Sequence, residues 1–236
     1  MLFVATNSVV YAQSEKVLQY YEALEKKAKN EQVTIGFIPD SLLDDNVQFA
    51  QIILLRHGEP ALNKKGGRKR KEAIQFIKDY DSVGIYPPAF IPVELNENEL
   101  TVINTSSINR SKSTANYVFG DGYDYRPTPM FREFERKIFA FPNIKLPLKW
   151  WLAGSRVFWF MGLNKRGIER FSKAKDRARE GTKFLEEQAM AEGKTLLVSH
   201  GLLNHFLVKY LKKNGWVEAY DGGKGYLSQK LLIKQR

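Results

Sequence analysis

The sequence predicts an α/β protein: a three-layer sandwich whose mainly parallel central sheet is covered by helices on both faces. Three observations predict it. Short apolar runs alternate with longer segments of helical period from residue 51 onward. Two of those runs, Ile52-Ile53-Leu54-Leu55 and Leu196-Leu197-Val198, show no polar alternation, as expected of strands buried on both faces. Each run also ends in a histidine followed by glycine, although the chain has only 3 histidines. In an open α/β sheet, ligands bind outside the carboxyl ends of the strands.

The elements follow in order. Residues 1–12 admit two readings. Met1 to Val4 and Val9 to Ala12 are apolar, and Val10-x-Ala12 has the small-residue spacing of a signal-peptidase site. No basic segment precedes them, and Thr6-Asn7-Ser8 interrupts the apolar core. They are either the tail of a signal peptide, which places the protein in the bacterial envelope, or an ordinary strand of a cytoplasmic protein. Residues 14–30 read as a helix, with Ser14 as N-cap and Val17, Leu18, Tyr21 and Leu24 on one stripe. Thr34 to Ile38 reads as a short strand closed by Pro39-Asp40. Residues 1–46 thus form an N-terminal extension to a main domain at 47–236.

Within that domain, the strand Ile52 to Leu55 precedes a helix from Lys69 to Asp79, whose apolar positions are Ile74, Phe76 and Ile77. A strand from Leu100 to Asn104 leads into Ser106-Ser107 and a helix from Ser111 to Val118. Gly120 to Pro129, rich in Gly, Asp, Tyr and Pro, reads as loop. A charged helix near 164–192 precedes the strand Thr195 to Ser199 and the amphipathic helix Leu202 to Lys212. A glycine turn at 222–225 opens a last strand, Tyr226 to Ile233. One segment breaks the alternation. Residues around 139–163 carry Trp150, Trp151, Phe158, Trp159 and Phe160 and read as an insertion. Buried core, a lid over the site and a hairpin resting on a membrane surface are its three readings.

Composition narrows the chemistry. The 236 residues are 43% hydrophobic and 13% aromatic, ample for a packed core. Cysteine is absent, which excludes disulfides, thiolate metal sites and thiol catalysis. No apolar run approaches the about 18 residues that a membrane-crossing helix needs. The net charge of +11 favours anionic ligands. The densest basic run, Lys64, Lys65, Arg68, Lys69, Arg70 and Lys71, holds no aromatic residue on which bases would stack, so it reads as a solvated face and not as a nucleic-acid site.

The strand ends carry the chemistry. A neutral histidine such as His57 is a nucleophile toward phosphorus, provided the phosphate's charge is neutralised and the group is aligned. Arg56 is its neighbour, and Arg110 follows the strand at 100–104. Guanidinium groups hold phosphate oxygens in pairs. His200, at the end of the strand 195–199, is placed to donate to a phosphoryl oxygen. Four groups from three strand ends make a phosphate site.

These residues lie in a recognisable series. Leu-Leu-Arg56-His57-Gly58-Glu59, with Asn63 six residues beyond the histidine, resembles the opening signature of the histidine phosphatase superfamily, the phosphoglycerate-mutase-like proteins. Arg110-Ser-Lys-Ser-Thr114-Ala115 resembles that family's Arg-x-x-x-Thr-Ala, Phe131-Arg132-Glu133 its Leu-Arg-Glu, and Val198-Ser199-His200-Gly201 its second histidine motif. The resemblance spans residues 51–215. It implies a phosphoenzyme mechanism with His57 as nucleophile, a phosphate pocket of Arg56, Asn63, Arg110 and His200, and Glu133 as proton donor to the leaving oxygen. No metal or cofactor is implied. Glu135 stands as the alternative donor, since strand alternation puts both carboxylates on one face. Gly201-Leu202 after the second histidine, in place of His-Asp, departs from the acid phosphatase and phytase branch. The expected activity is hydrolysis of a phosphomonoester; a phosphoglycerate-type mutase and a non-catalytic phosphate-ester-binding protein are the alternatives. His205, five residues from His200, lies on another helix face and reads as structural.

Overall fold

The computed structural model describes residues 2–43, 47–97, 99–140, 144–163 and 167–236. Among them, six strands form one sheet, in the order β4-β3-β6-β1-β8-β7. The strands are β1 (Phe49–Arg56), β3 (Val102–Ser106), β4 (Asp124–Thr128), β6 (Lys194–Ser199), β7 (Val217–Asp221) and β8 (Gln229–Gln235). β1 runs parallel to β6, β6 to β3, and β3 to β4; β8 is antiparallel to both β1 and β7. A separate short pair joins β2 (Gly67–Arg68) and β5 (Leu146–Pro147).

Period-two geometry sorts the strand residues onto two faces. Ile53, Leu55, Leu196 and Val198 face one layer, which holds Val17 and Tyr21 of α1 (Leu2–Ala28) and Ala115 and Val118 of α3 (Asn109–Phe119). Ile52, Leu54 and Leu197 face the other, built on α5 (Phe171–Glu192) and α6 (Gly201–Lys213) through Ala174, Ala178, Leu185, Leu203 and Leu207. These strand residues are all fully buried, which explains their unbroken apolar sequence. Burying each such side chain contributes about 1.5–3 kcal/mol.

The register of the central strands positions the site. Leu54 pairs with Leu197 and Arg56 with Ser199, so β1 and β6 end side by side. The His57 backbone N–H extends the ladder by donating to the Ser199 carbonyl at 2.9 Å. Thr105 pairs with Val198, which brings the start of α3 to the same edge.

Several expectations are corrected. The strand reading of residues 1–12 fails, because the backbone from Leu2 is helical and continuous with α1. A helix satisfies its own backbone polar groups, whereas a strand needs a partner. Among the described residues, Thr34 to Ile38 makes a single bridge, Ile35 to Val93. Its apolar pattern reflects burial of Ile35, Phe37 and Ile38 in the first core layer. The loop expected at 120–129 contains β4, and the segment before residue 222 contains β7. The last strand starts at Gln229, not Tyr226, and the charged helix starts at Phe171; part of the preceding stretch, 164–166, lies outside the described residues. In α2 (Arg70–Ser82) the buried positions are Ala73 and Phe76, with Ile74 and Ile77 only partly covered.

The aromatic segment forms α4 (Leu148–Phe160). Trp151 and Trp159 are buried on its inner side, and the Trp151 indole N–H donates to the Arg68 carbonyl at 2.8 Å. Leu148, Lys149, Leu152 and Arg156 line a cavity at the sheet edge. Trp150, Val157 and Met161 lie on the outer side and are more than half exposed.

The two-faced burial of β1 predicts a large cost for truncation there. Leu54→Ala should lower unfolding free energy by about 2–5 kcal/mol, read from urea denaturation. A loss under about 1 kcal/mol would contradict the burial described for this strand.

Candidate active site

His57 leaves the end of β1 buried at 2% exposure. Its Nδ1 lies 2.7 Å from the Gly58 carbonyl oxygen, an atom that can only accept. Its Nε2 lies 3.1 Å from Nε of Arg110, an atom that can only donate. The proton is therefore on Nδ1, and the lone pair is on Nε2, next to Arg110. Burial, and then the positive charge of Arg110, hold the imidazole well below the ordinary 6.5, so it is neutral at pH 7.

Neighbouring contacts hold this loop. The Gly58 N–H donates to the Thr114 hydroxyl at 2.9 Å, and that hydroxyl donates to the Arg110 carbonyl at 2.6 Å. The Arg-x-x-x-Thr spacing, one helical turn, thereby ties α3 to the His57 loop. A Cβ at Gly58 would lie 2.9 Å from Cδ1 of Ile85, so a side chain there would push the loop away. Gly201 is small for a similar reason, since its Cβ would meet Nε of Arg56 at 3.1 Å.

The two arginines are anchored differently. Arg110, 1% exposed, donates through Nη1 to the Tyr80 carbonyl at 2.7 Å and to the Asp81 carboxylate at 2.9 Å, with the Tyr80 ring 4.5 Å from its guanidinium carbon. Arg56 donates through Nη1 to the Lys224 carbonyl and stacks 4.7 Å from the Tyr226 ring centre. Its Nε has no partner among the described residues. His200 is fully buried, with its ring centre 5.1 Å from that of His57. Its Nε2 meets the Ser106 hydroxyl at 2.8 Å, while its Nδ1 has no partner among the described residues. Burial, then Arg110, keeps this imidazole well below its ordinary value too.

The two carboxylates occupy different settings. Glu133 accepts the N–H of Phe134 at 2.9 Å and, more weakly, that of Leu202 at 3.4 Å in the first turn of α6. Glu135 is committed to structure: it accepts the Glu169 N–H and pairs with Arg132 at 2.9 Å. Both line the cavity, but the stretch 132–140 is not a strand, so alternation does not explain their placement. Asn63 is not brought to the cavity wall. Its Oδ1 accepts the Lys65 N–H at 2.9 Å, a local turn contact that occupies the side chain. His205 is an exposed residue of α6, outside this cavity.

The cavity has a volume of about 550 Å³. Arg56, His57, Arg110 and Glu133 stand in its wall, with apolar surface from Phe76, Ile77, Leu148 and Leu152; the fully buried His200, expected in the phosphate pocket, does not line it. A model of the histidine phosphatase superfamily (branch 1) matches residues 52–221, well over half of the chain. The chain belongs to this superfamily. Its members are phosphatases or mutases, so phosphoryl transfer is the chemistry of the fold.

One solved structure supports the fold, and two others are similar to the chain. Phosphoglycerate mutase from Bacillus anthracis is similar at 18% identity and TM-score 0.50, over 80% of this chain and 89% of its own. A mycobacterial glucosyl-3-phosphoglycerate phosphatase is 18% identical over 79% of this chain and 91% of its own, at TM-score 0.46. YhfR of Bacillus stearothermophilus is 22% identical over 69% of this chain and 80% of its own, at TM-score 0.43. A search of the curated proteins finds no match.

Sequence reasoning missed parts of this superfamily member's site. Tyr226 lies beneath Arg56, with its ring centre 5.7 Å from that of His57. The following residue, Leu227, sits at φ 59, a conformation rare for a branched side chain, which marks the loop as held by its surroundings. Tyr80 and Asp81 orient Arg110 from the end of α2. The glycine turn ahead of Tyr226 was the one sequence signal for the first; nothing local marks the other two.

The neutral buried histidines set a pH dependence of stability. Both have folded-state pKa values below 6.5, near which the unfolded imidazoles titrate. As pH falls below about 6.5, the unfolded chain takes up protons that the folded chain refuses, so stability falls. The expected slope is about 1.4 kcal/mol per pH unit for each histidine until its folded-state pKa is reached. Urea midpoints at pH 7.5, 6.5 and 5.5 measure it. The His200→Gln variant should show a shallower decline than the wild type; equal declines would contradict the burial argument.

Proposed function

We propose that this chain hydrolyses phosphate monoesters through a phosphohistidine on Nε2 of His57. The observation that carries the reading is the locked tautomer. One ring nitrogen is committed to a carbonyl, and the other offers its lone pair beside a buried guanidinium. That is the arrangement an in-line attack on a phosphoryl group needs.

In the first step Nε2 bonds to phosphorus as the bond to the ester oxygen breaks. Arg110, with a nitrogen 3.1 Å from the attacking atom, is in reach of the oxygens of a phosphoryl placed there. Arg56, whose Nε is unpartnered and which lines the cavity, supplies a further contact as the negative charge moves. The leaving oxygen takes a proton from Glu133, since an alkoxide is a poor leaving group. Glu133 is favoured over Glu135 because Glu135 already holds Glu169 and Arg132. In the second step the Glu133 carboxylate takes a proton from water, whose oxygen attacks phosphorus. The P–N bond breaks, inorganic phosphate leaves, and the His57 lone pair is restored.

The test is hydrolysis of an aryl phosphate in the presence of chelator. Wild type should turn over, and His57→Ala should lose on the order of a thousandfold or more. Brief mixing with ³²P-labelled ester followed by alkaline quench should trap label on the wild type only, because phosphohistidine survives base and is lost in acid. Inorganic phosphate as product identifies a hydrolase, whereas a phosphorylated isomer identifies a mutase. Full activity in His57→Ala would overturn the proposal.

A further inference from the structure

Beyond the phosphate pocket, one cation in this cavity has no hydrogen-bonding or ion-pair partner among the described residues. Arg136 lines the cavity three residues after Glu133, and it also lines a second hollow that shares Arg56 and Glu133 with the first. Its Nε is buried without a partner, and the side chain makes no hydrogen bond or ion pair among the described residues. Each carboxylate on the same wall is committed elsewhere. Asp81 holds Arg110, Glu135 holds Arg132 and the Glu169 N–H, and Glu133 accepts two backbone N–H groups.

The neighbouring charges act in both directions: the Glu133 carboxylate offsets part of the Arg136 charge without bonding to it, while Arg110 opposes it. Arg156 donates to the carbonyls of Phe134 and Glu135 at 3.0 Å each and stacks 5.1 Å from the Trp159 ring. Its guanidinium is thus used to hold the wall, and burial, then the charge of Arg136, pushes its pKa down to about 10. Burial lowers the Arg136 pKa as well. A buried cation is costly unless it is paired and hydrogen-bonded, and a buried guanidinium with free donors is shaped for two oxygens of one anion. Folding alone does not explain why this cavity keeps an arginine there.

We propose that Arg136 anchors a second anion subsite, so that the ester handled at His57 carries a further carboxylate or phosphate on its leaving group. The inference rests on the phosphomonoester reading of the same cavity. Because Arg136 follows Glu133, which would protonate the leaving oxygen, the second anion belongs on the leaving group and not on the transferred phosphoryl. The apolar wall of Phe76, Ile77, Leu148 and Leu152 then covers the carbon skeleton between the two anions.

Three matched probes test this: phenyl phosphate, carboxyphenyl phosphate and phenylene bisphosphate, assayed on the full chain and on Arg136→Gln. Wild type should favour an anion-bearing ester over phenyl phosphate by about tenfold or more in kcat/KM, mainly through KM, as expected for a charge-assisted bidentate contact. Which of the two anionic esters gains more distinguishes carboxylate from phosphate. In Arg136→Gln the preference should collapse toward unity, with partial recovery in Arg136→Lys. A loss of kcat equal for all three esters, with a changed pH profile, would instead make Arg136 a positioning residue for Glu133 and overturn the subsite. Should no ester be hydrolysed by the wild type, the phosphatase reading fails, and binding calorimetry on the same probes still decides the subsite. Tighter binding of an anion-bearing ester, lost in Arg136→Gln, supports it, and equal affinities overturn it.

Discussion

The parallel pairing of β1 with β6 is the constraint on which the site depends. With Arg56 opposite Ser199 and the His57 N–H bonded to the Ser199 carbonyl, both strands end at one level. Two imidazoles 143 residues apart in sequence therefore meet with ring centres 5.1 Å apart. A slip of one residue would turn His57 to the opposite face and reverse the inward and outward sets of β1. That slip is opposed by the apolar layers on both faces, because Ile52 and Leu54 fill one layer while Ile53 and Leu55 fill the other. The hydrophobic core thus holds the catalytic geometry as firmly as it holds the fold.

The site itself works against stability. Its histidines are buried and neutral, and Arg110 is buried and charged. Arg110 is tolerated because Asp81 and the Tyr80 carbonyl share its Nη1 donors and the Tyr80 ring lies along its face. Among the described residues, the buried atoms left without a partner include Nδ1 of His200 and Nε of Arg56, both on residues next to His57 in the fold. Polar atoms are seldom left in that condition without a reason.

How much was legible varied with burial. β1 and β6 were evident because strands covered on both faces read as unbroken apolar runs. β4 and β7 were not, because they are the two edge strands, and Asp124, Arg126, Glu218 and Asp221 leave them no unbroken apolar run. β4 even contains Pro127, which an edge can accommodate and a central strand cannot. The aromatic segment was ambiguous for a different reason. α4 turns Trp151 and Trp159 inward, Leu152 and Arg156 toward the cavity and Trp150 outward, so one helix carries core, cavity wall and exposed surface at once.

The sequence by itself determined the fold class, the strand ends that carry chemistry, and the nitrogen and guanidinium groups gathered there. Those features are local: a strand pattern, a histidine before glycine, and an Arg-x-x-x-Thr spacing set by one helical turn. Tertiary structure decided the tautomer of His57, the commitment of Glu135 to structure, the removal of Asn63 into a turn, and the presence of Tyr226, Asp81 and Arg136 at the cavity. Each of these depends on which backbone carbonyl or carboxylate a loop places within about 3 Å, the distance over which hydrogen bonds act. Loop placement follows from packing between segments far apart in the chain, and no local pattern records it.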